Sequence, residues 1–303
     1  MKIITITLNP VFDIFYDVDG FEKEKENRVK NIVRDLGGKG LNVSKALSAV
    51  GVDSAAHIIV GEQSRGEVVS RLDDYRLDHK DFFVPGKTRE NLTIRSEGQK
   101  ETRICTDNFE ITSEMLDAFA SEAGKDIDEN TIVVCSGRFP RGITRDEAKN
   151  FVRFLKKKTP YVVLDTNYFT AGETFELCPW MIKPNDEEIL IYGGDDYEKA
   201  AEFTHSSGIS HVFVSLGGDG AYYCGELGKF RAKVPEIDVV STIGAGDSTV
   251  AGFLYGYING LGAKEIIASA CALGSAACLQ EGVNTPEKED WIRIKEQIEV
   301  AEA

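Results

Sequence analysis

The chain has 303 residues, 42% of them hydrophobic and 28% charged, enough to bury a large core in one or two domains. Its net charge of −15 and pI near 4.8 argue against a nucleic-acid partner or an anionic membrane surface. They leave room for an anionic small molecule, because local donors override a global field. No apolar run approaches the ~20 residues of a membrane span, and the opening Met1–Leu8 reads as a strand rather than a signal peptide. The six cysteines form no Cys-x-x-Cys pair and sit in mostly apolar surroundings, as reduced thiols of a cytoplasmic protein would. The four histidines fit no metal-ligand spacing.

In chain order, Ile3–Leu8 is a β-branched run suited to a buried central strand, stopped by Asn9-Pro10. Residues 11–18 and 27–35 alternate as strands do. Asp13 stands just past the end of the first strand, where open α/β sheets bind ligands; on composition alone a loop-capping Asp is the better reading. The run Gly37-Gly38-Lys39-Gly40 then leads into a helix from about Leu41, and lets backbone and Lys39 approach a ligand. No Walker spacing occurs. A strand at 53–60, an amphipathic helix at 67–77 and a short strand at 82–84 follow. Residues 88–95 and 101–105 read as a hairpin with one polar face. With 11–18 and 27–35 these make four strands outside the βα rhythm, a small second sheet over about 11–35 and 88–106.

From Thr112 the rhythm is regular: helix 113–123, strand 131–135, helix 145–157, strand 161–165, strand 180–183, helix 197–205, strand 211–215. Such alternation predicts a mostly parallel sheet covered on both faces. Polar or Gly-rich residues recur just after the strands (Ser136-Gly137, Asp165, Asn185 with Glu188, Ser215 to Gly220, Thr242 to Asp247), which places them on one sheet edge. The end is helical: 247–259, 263–279, and a polar helix over 286–300. There is no repeat and no linker, so 1–303 reads as one domain with a lid whose exposed edge suits a second subunit.

The stretch Thr242-Ile243-Gly244-Ala245-Gly246-Asp247-Ser248 turns into a helix, and a helix start offers unpaired N–H groups and the positive dipole end to phosphate oxygens. Asp247 would repel such a ligand. It is either an ordinary first-turn acid or a base that accepts a proton from an attacking hydroxyl.

With these residues in place, the chain resembles the ribokinase-like (PfkB-type) carbohydrate kinases over nearly its whole length. Gly37-Gly38-Lys39-Gly40-x-Asn42 and Thr242-x-Gly244-Ala245-Gly246-Asp247-Ser248 carry the resemblance. Leu8-Asn9-Pro10-x-x-Asp13, Thr88-Arg89-x-Asn91, Lys183-Pro184-Asn185-x-x-Glu188 and Ser215-Leu216-Gly217-x-x-Gly220 fall in the same order. The opening and Thr-Arg-x-Asn look most like the phosphosugar branch, the 1-phosphofructokinases and tagatose-6-phosphate kinases. The resemblance implies a three-layer α/β sandwich with a β-sheet lid, ATP and Mg2+, and a homodimer through the lid. It implies Asp247 as base, with Gly244, Ala245 and Gly246 holding the transferred phosphoryl. Asp13, Gly38 and Asn42 would hold sugar hydroxyls; Lys39 and Arg89 would hold the phosphate already on the sugar. Ser215, Gly217, Gly220, Thr242 and Asn185 would line the nucleotide site, with Asn185 and Glu188 placing Mg2+ through water.

Two stretches depart from that branch. Thr106–Glu110 lacks a Gly-Pro, and Ser136-Gly137-Arg138-Phe139-Pro140 stands where Ser-Gly-Ser-Leu-Pro is expected. Arg138 is read as an additional substrate phosphate ligand, against a plain solvated Arg. The implied reaction is phosphorylation of a ketohexose monophosphate, foremost fructose 1-phosphate. Tagatose 6-phosphate, an unphosphorylated sugar, and a silent sugar-phosphate sensor are the alternatives.

Overall fold

A computed structural model describes residues 1–282 and 285–303. The expected first strand is β1 (Lys2–Thr7), followed by lid strands β2 (Val11–Val18) and β3 (Val29–Gly37), then helix α1 (Lys39–Ala49). Next come β4 (Ala55–Gly61), α2 (Arg65–Asp74), β5 (Asp78–Val84), and the lid hairpin β6 (Arg89–Arg95) and β7 (Thr102–Cys105). The regular part runs α3 (Ser113–Ala123), β8 (Thr131–Ser136), α4 (Arg145–Lys158), β9 (Val162–Asp165), α5 (Ala171–Leu177), β10 (Met181–Ile182), α6 (Asp186–Ile189), α7 (Tyr197–Ser206) and β11 (His211–Ser215). The chain closes with β12 (Ala221–Gly225), β13 (Gly228–Lys233), α8 (Ala245–Ile258), α9 (Ala263–Ala277), α10 (Lys288–Lys295) and β14 (Glu299–Glu302).

The large sheet has the order β14-β13-β12-β11-β10-β9-β8-β1-β4-β5. It is parallel from β11 to β5 and antiparallel from β11 to β14. Strand periodicity sorts its side chains into two cores. Ile4, Ile6, Val133, Cys135, Val212 and Val214 face one layer, packed with Leu116 and Phe119 of α3 and Phe151 and Leu155 of α4. Ile3, Ile132, Val134 and Phe213 face the other, against Val43 and Leu47 of α1, Phe253 of α8 and Leu273 of α9. Two helical layers over one sheet make the predicted three-layer sandwich.

The four strands outside the rhythm do form a separate sheet, in the order β3-β2-β6-β7, with β2 and β6 parallel. Phe12, Ile14 and Leu36 root this lid on Ile58 and Val60 of β4 and Val68 and Leu72 of α2. One expectation needs correction. The polar tail is not one helix over 286–300: α10 ends at Lys295 and residues 299–302 add an antiparallel strand to β13. The hairpin β12–β13 was not foreseen, nor was α5. No helix among the described residues is long and apolar enough to cross a membrane, and all six cysteines are free.

Candidate active site

The carboxyl ends of β1, β8, β9, β10 and β11 and the N-terminus of α8 open on one cleft beneath the lid. Gly244 caps α8 with φ 79°, a left-handed conformation that turns the chain into the helix. A Cβ on Gly246 would lie 2.9 Å from Lys183 Nζ, so glycine there lets an ammonium stand directly at the helix start. First-turn N–H groups and this cation make the spot anion-attracting.

Asp247, in the first turn of α8, is buried, and Asn42 Nδ2 on α1 donates to its Oδ2 at 2.8 Å. Burial and then the nearby Asp165 push its carboxyl up to about 7, against the pull of Lys39, Asn42 and Lys183. An acid so tuned is unlike a solvated helix-start carboxylate.

Asp165 ends β9 and is fully enclosed, yet its carboxyl stays below the usual range: burial is outweighed by Lys183 and Lys39, the latter at 3.0 Å. Burial lowers Lys39, but Asp165 and Asp247 hold it above its ordinary value. The sequence reading gave Asp165 and Lys183 no role. Their signal was only a polar residue after a strand and a Lys beside a quoted Pro-Asn, and their meeting is visible only in three dimensions.

On the lid side, Asp13 accepts from Asn91 Nδ2 at 3.1 Å, and burial holds its carboxyl above the ordinary value despite Asn91 and Arg89. Gly38 takes φ 134°, and a Cβ there would strike Thr7 Cγ2 at 2.6 Å, so α1 starts hard against the end of β1. Burial lowers Arg89, which Asp13 offsets and a neighbouring Arg138 reinforces. Arg138 itself is exposed. Arg138 thus lies near Arg89, and Lys39 sits with Asp165 and Asp247. Asn108, in the departing 106–110 stretch, donates to Asn9 Oδ1 at 2.6 Å and accepts from Arg89 N at 3.1 Å. Side-chain atoms Thr7 Oγ1, Asn42 Oδ1, Arg89 Nε, Asn91 Oδ1 and Ser136 Oγ are buried without protein partners. Buried polar atoms are normally paired, so this cluster suits a polyhydroxylated ligand.

A cavity of about 540 Å3 adjoins, lined by Ser215, Gly217, Gly220, Thr242, Ala245, Gly246 and the apolar Val234, Ile237 and Val239. Polar loops at one end and an apolar slot at the other fit a nucleotide. Asn185 and Glu188 form a reciprocal capping box on α6: Glu188 N donates to Asn185 Oδ1 at 2.7 Å and Asn185 N to Glu188 Oε2 at 3.1 Å. An isolated bridge sets Asn185 beside Ser215 at the cavity edge. Among the described residues no group of three or more His, Cys, Asp or Glu could hold a bare metal ion. This donor set fits Mg2+ carried on phosphates and reached through water.

The model of the pfkB family carbohydrate kinases matches residues 6–290. A 1-phosphofructokinase of Escherichia coli (strain K12) is 28% identical over 293 residues, covering 95% of this chain and 94% of that protein. A tagatose-6-phosphate kinase of Staphylococcus epidermidis is 31% identical over 309 residues, 99% of each. The solved phosphofructokinase-2 of Escherichia coli in complex with fructose-6-phosphate superposes with a TM-score of 0.88 over 98% of both chains, at 24% identity.

Proposed function

Since the chain belongs to the pfkB family of carbohydrate kinases, we propose that it transfers the γ-phosphoryl group of ATP to a ketohexose monophosphate, foremost fructose 1-phosphate, giving fructose 1,6-bisphosphate and ADP. One observation carries the reading: a buried carboxylate, Asp247, stands at the glycine-built start of α8, between the lid-side polar cluster and the apolar-ended cavity. Asp247 takes the proton of the sugar hydroxyl as its oxygen attacks the γ-phosphorus and the bond to the β-phosphate oxygen breaks. The N–H groups of Gly244, Ala245 and Gly246, with Lys183 beside them, hold the charge on the moving phosphoryl.

Asp13, Gly38, Asn42 and Asn91 hold the sugar hydroxyls. Arg89 and Arg138 grip the phosphate already on the sugar, a task for which a guanidinium fork is suited. Lys39 completes that phosphate site from the core side; its seat beside Asp165 and Asp247 also lets it reach the transferred group. Ser215, Gly217, Gly220, Thr242 and Asn185 border the nucleotide. Asn185 and Glu188 would hold Mg2+ through water, and the ion would supply positive charge to the phosphates.

The 31% identity to a tagatose-6-phosphate kinase favours tagatose 6-phosphate as the second reading. The chain acts as a homodimer through the lid: Ile32 and Ile104, 59% and 53% exposed, lie on the same face of that sheet. A cytoplasmic setting suits the free thiols.

ADP release by the purified protein with Mg2+-ATP, over fructose 1-phosphate, fructose 6-phosphate, tagatose 6-phosphate and free fructose, tests this. Turnover fastest with fructose 1-phosphate is the expected result. A preference for tagatose 6-phosphate selects the second reading, and sugar-phosphate binding without ADP release leaves the silent sensor.

A further inference from the structure

Helix α1 carries three polar side chains at three-residue spacing, Lys39, Asn42 and Lys45, and each meets a different carboxylate: Asp165, Asp247 and Asp35. The first two belong to the site above. The third does not, and it is deeply enclosed: Lys45 is 4% exposed, with its Nζ 2.9 Å from Asp35 Oδ2 and 4.3 Å above the Tyr75 ring. Tyr75 Oη and the Leu36 N–H both donate to the other oxygen of Asp35. A lysine is rarely enclosed unless something requires its charge there.

Strand register supplies the requirement. Asp35 on β3 pairs directly with Asp13 on β2, and Asp13 pairs directly with Asn91 on β6, so the three side chains form one row across one face of the lid. Like charges opposite each other on neighbouring strands repel. Asp13 is the residue that must be an anion to accept from sugar hydroxyls. The charged and polar groups facing it are Asp35 from β3, Asn91 and Arg89 from β6, Arg103 from β7, and Lys45 and Asn42 from α1. Asp35 and Lys45 are the pair whose charges cancel.

We propose that Lys45 is a positioning residue for the sugar site, which offsets Asp35 so that Asp13 stays ionised and fixes the lid's root to the helix that bears Lys39 and Asn42. This rests on Asp13 holding sugar hydroxyls, as in the function given above. Without Lys45, Asp35 loses its cationic partner, and its repulsion falls on Asp13. Removal of Asp35 instead relieves Asp13.

Calorimetric binding of fructose 1-phosphate, fructose 6-phosphate and tagatose 6-phosphate to the full-length protein, between pH 5 and pH 9, reads this without needing turnover. For the tightest of the three, Lys45→Met should weaken binding about tenfold at pH 7 and move its acid limb up by about one pH unit, with ATP affinity within about threefold. Asp35→Asn should bind as tightly as the unaltered protein or more so, its acid limb unmoved or lower. The double variant should return to within about threefold. Equal weakening by both single substitutions, no recovery in the double, or an unmoved acid limb in Lys45→Met would overturn the proposal. Should Lys45→Met not fold, a more than threefold loss in Asp35→Asn overturns it by itself and retained affinity upholds it. If the protein binds a sugar phosphate without releasing ADP, the kinase reading fails and this test still reads; if it binds none, both go.

Discussion

Burial and the nearby Asp165 leave the Asp247 carboxyl titrating at about 7, so the free protein carries its base only partly ionised at neutrality. The kcat/KM for the sugar phosphate should therefore climb as pH rises from 6 to 8 and flatten above, a profile that initial rates check directly. Asp247→Asn should lower kcat by about three orders of magnitude or more with nucleotide affinity kept; a drop below tenfold would remove the assignment. The same group predicts a stability effect of opposite sense. Its folded-state value lies above the unfolded 3.8, so the native state binds the proton more tightly than the unfolded chain. The penalty for burying the charge is complete above about pH 7 and is relieved as pH falls towards 4. Asp247→Asn should then raise Tm at pH 8 by several degrees, with a smaller gain at pH 5, as calorimetric scans would show.

Among the elements, α6 separates two roles that the sequence motif merges. Asn185 and Glu188 already satisfy each other's backbone as a capping box, yet the resemblance gives the same pair to Mg2+. Glu188→Gln keeps an acceptor for the Asn185 N–H but loses the charge. It should leave Tm within about a degree while raising the Mg2+ concentration for half-maximal rate about tenfold; a fall in Tm with unchanged Mg2+ dependence would make the pair purely structural. Elements also show what the sequence could disclose. The βα rhythm, the lid strands and the glycine turns were legible because they depend on local periodicity and backbone freedom. Asp165 was legible as a strand-end residue but not as the bridge between Lys39 and Lys183, since those lysines come from 126 residues before and 18 after it along the chain. Arg138 was legible only as a departure after a strand-end Ser-Gly, and its nearness to Arg89, 49 residues away along the chain, needs the fold. The strand at 299–302 escaped because Glu-Val-Ala-Glu has no strand pattern of its own; it forms by backbone pairing to Phe230–Lys233, a tertiary override of propensity.

For the whole molecule, a lid rooted by Phe12, Ile14 and Leu36 but bare at Ile32 and Ile104 supports assembly through that face. Ile32→Lys with Ile104→Lys should halve the mass found by sedimentation; an unchanged mass would place any interface elsewhere. The termini of the large sheet carry a different consequence. One outer strand, β5, opens with Asp78-His79-Lys80-Asp81, and the other, β14, has a glutamate at each end. Charged borders discourage intermolecular strand addition. Lys229 to Lys233 is the hydrogen-bonding rail that β14 occupies, with Phe230 and Ala232 pointing inward beneath it. Trimming residues 299–303 would uncover that rail and invite fibrillar or amorphous self-association on warming, visible as light scattering, in a protein whose catalytic cleft had not been touched.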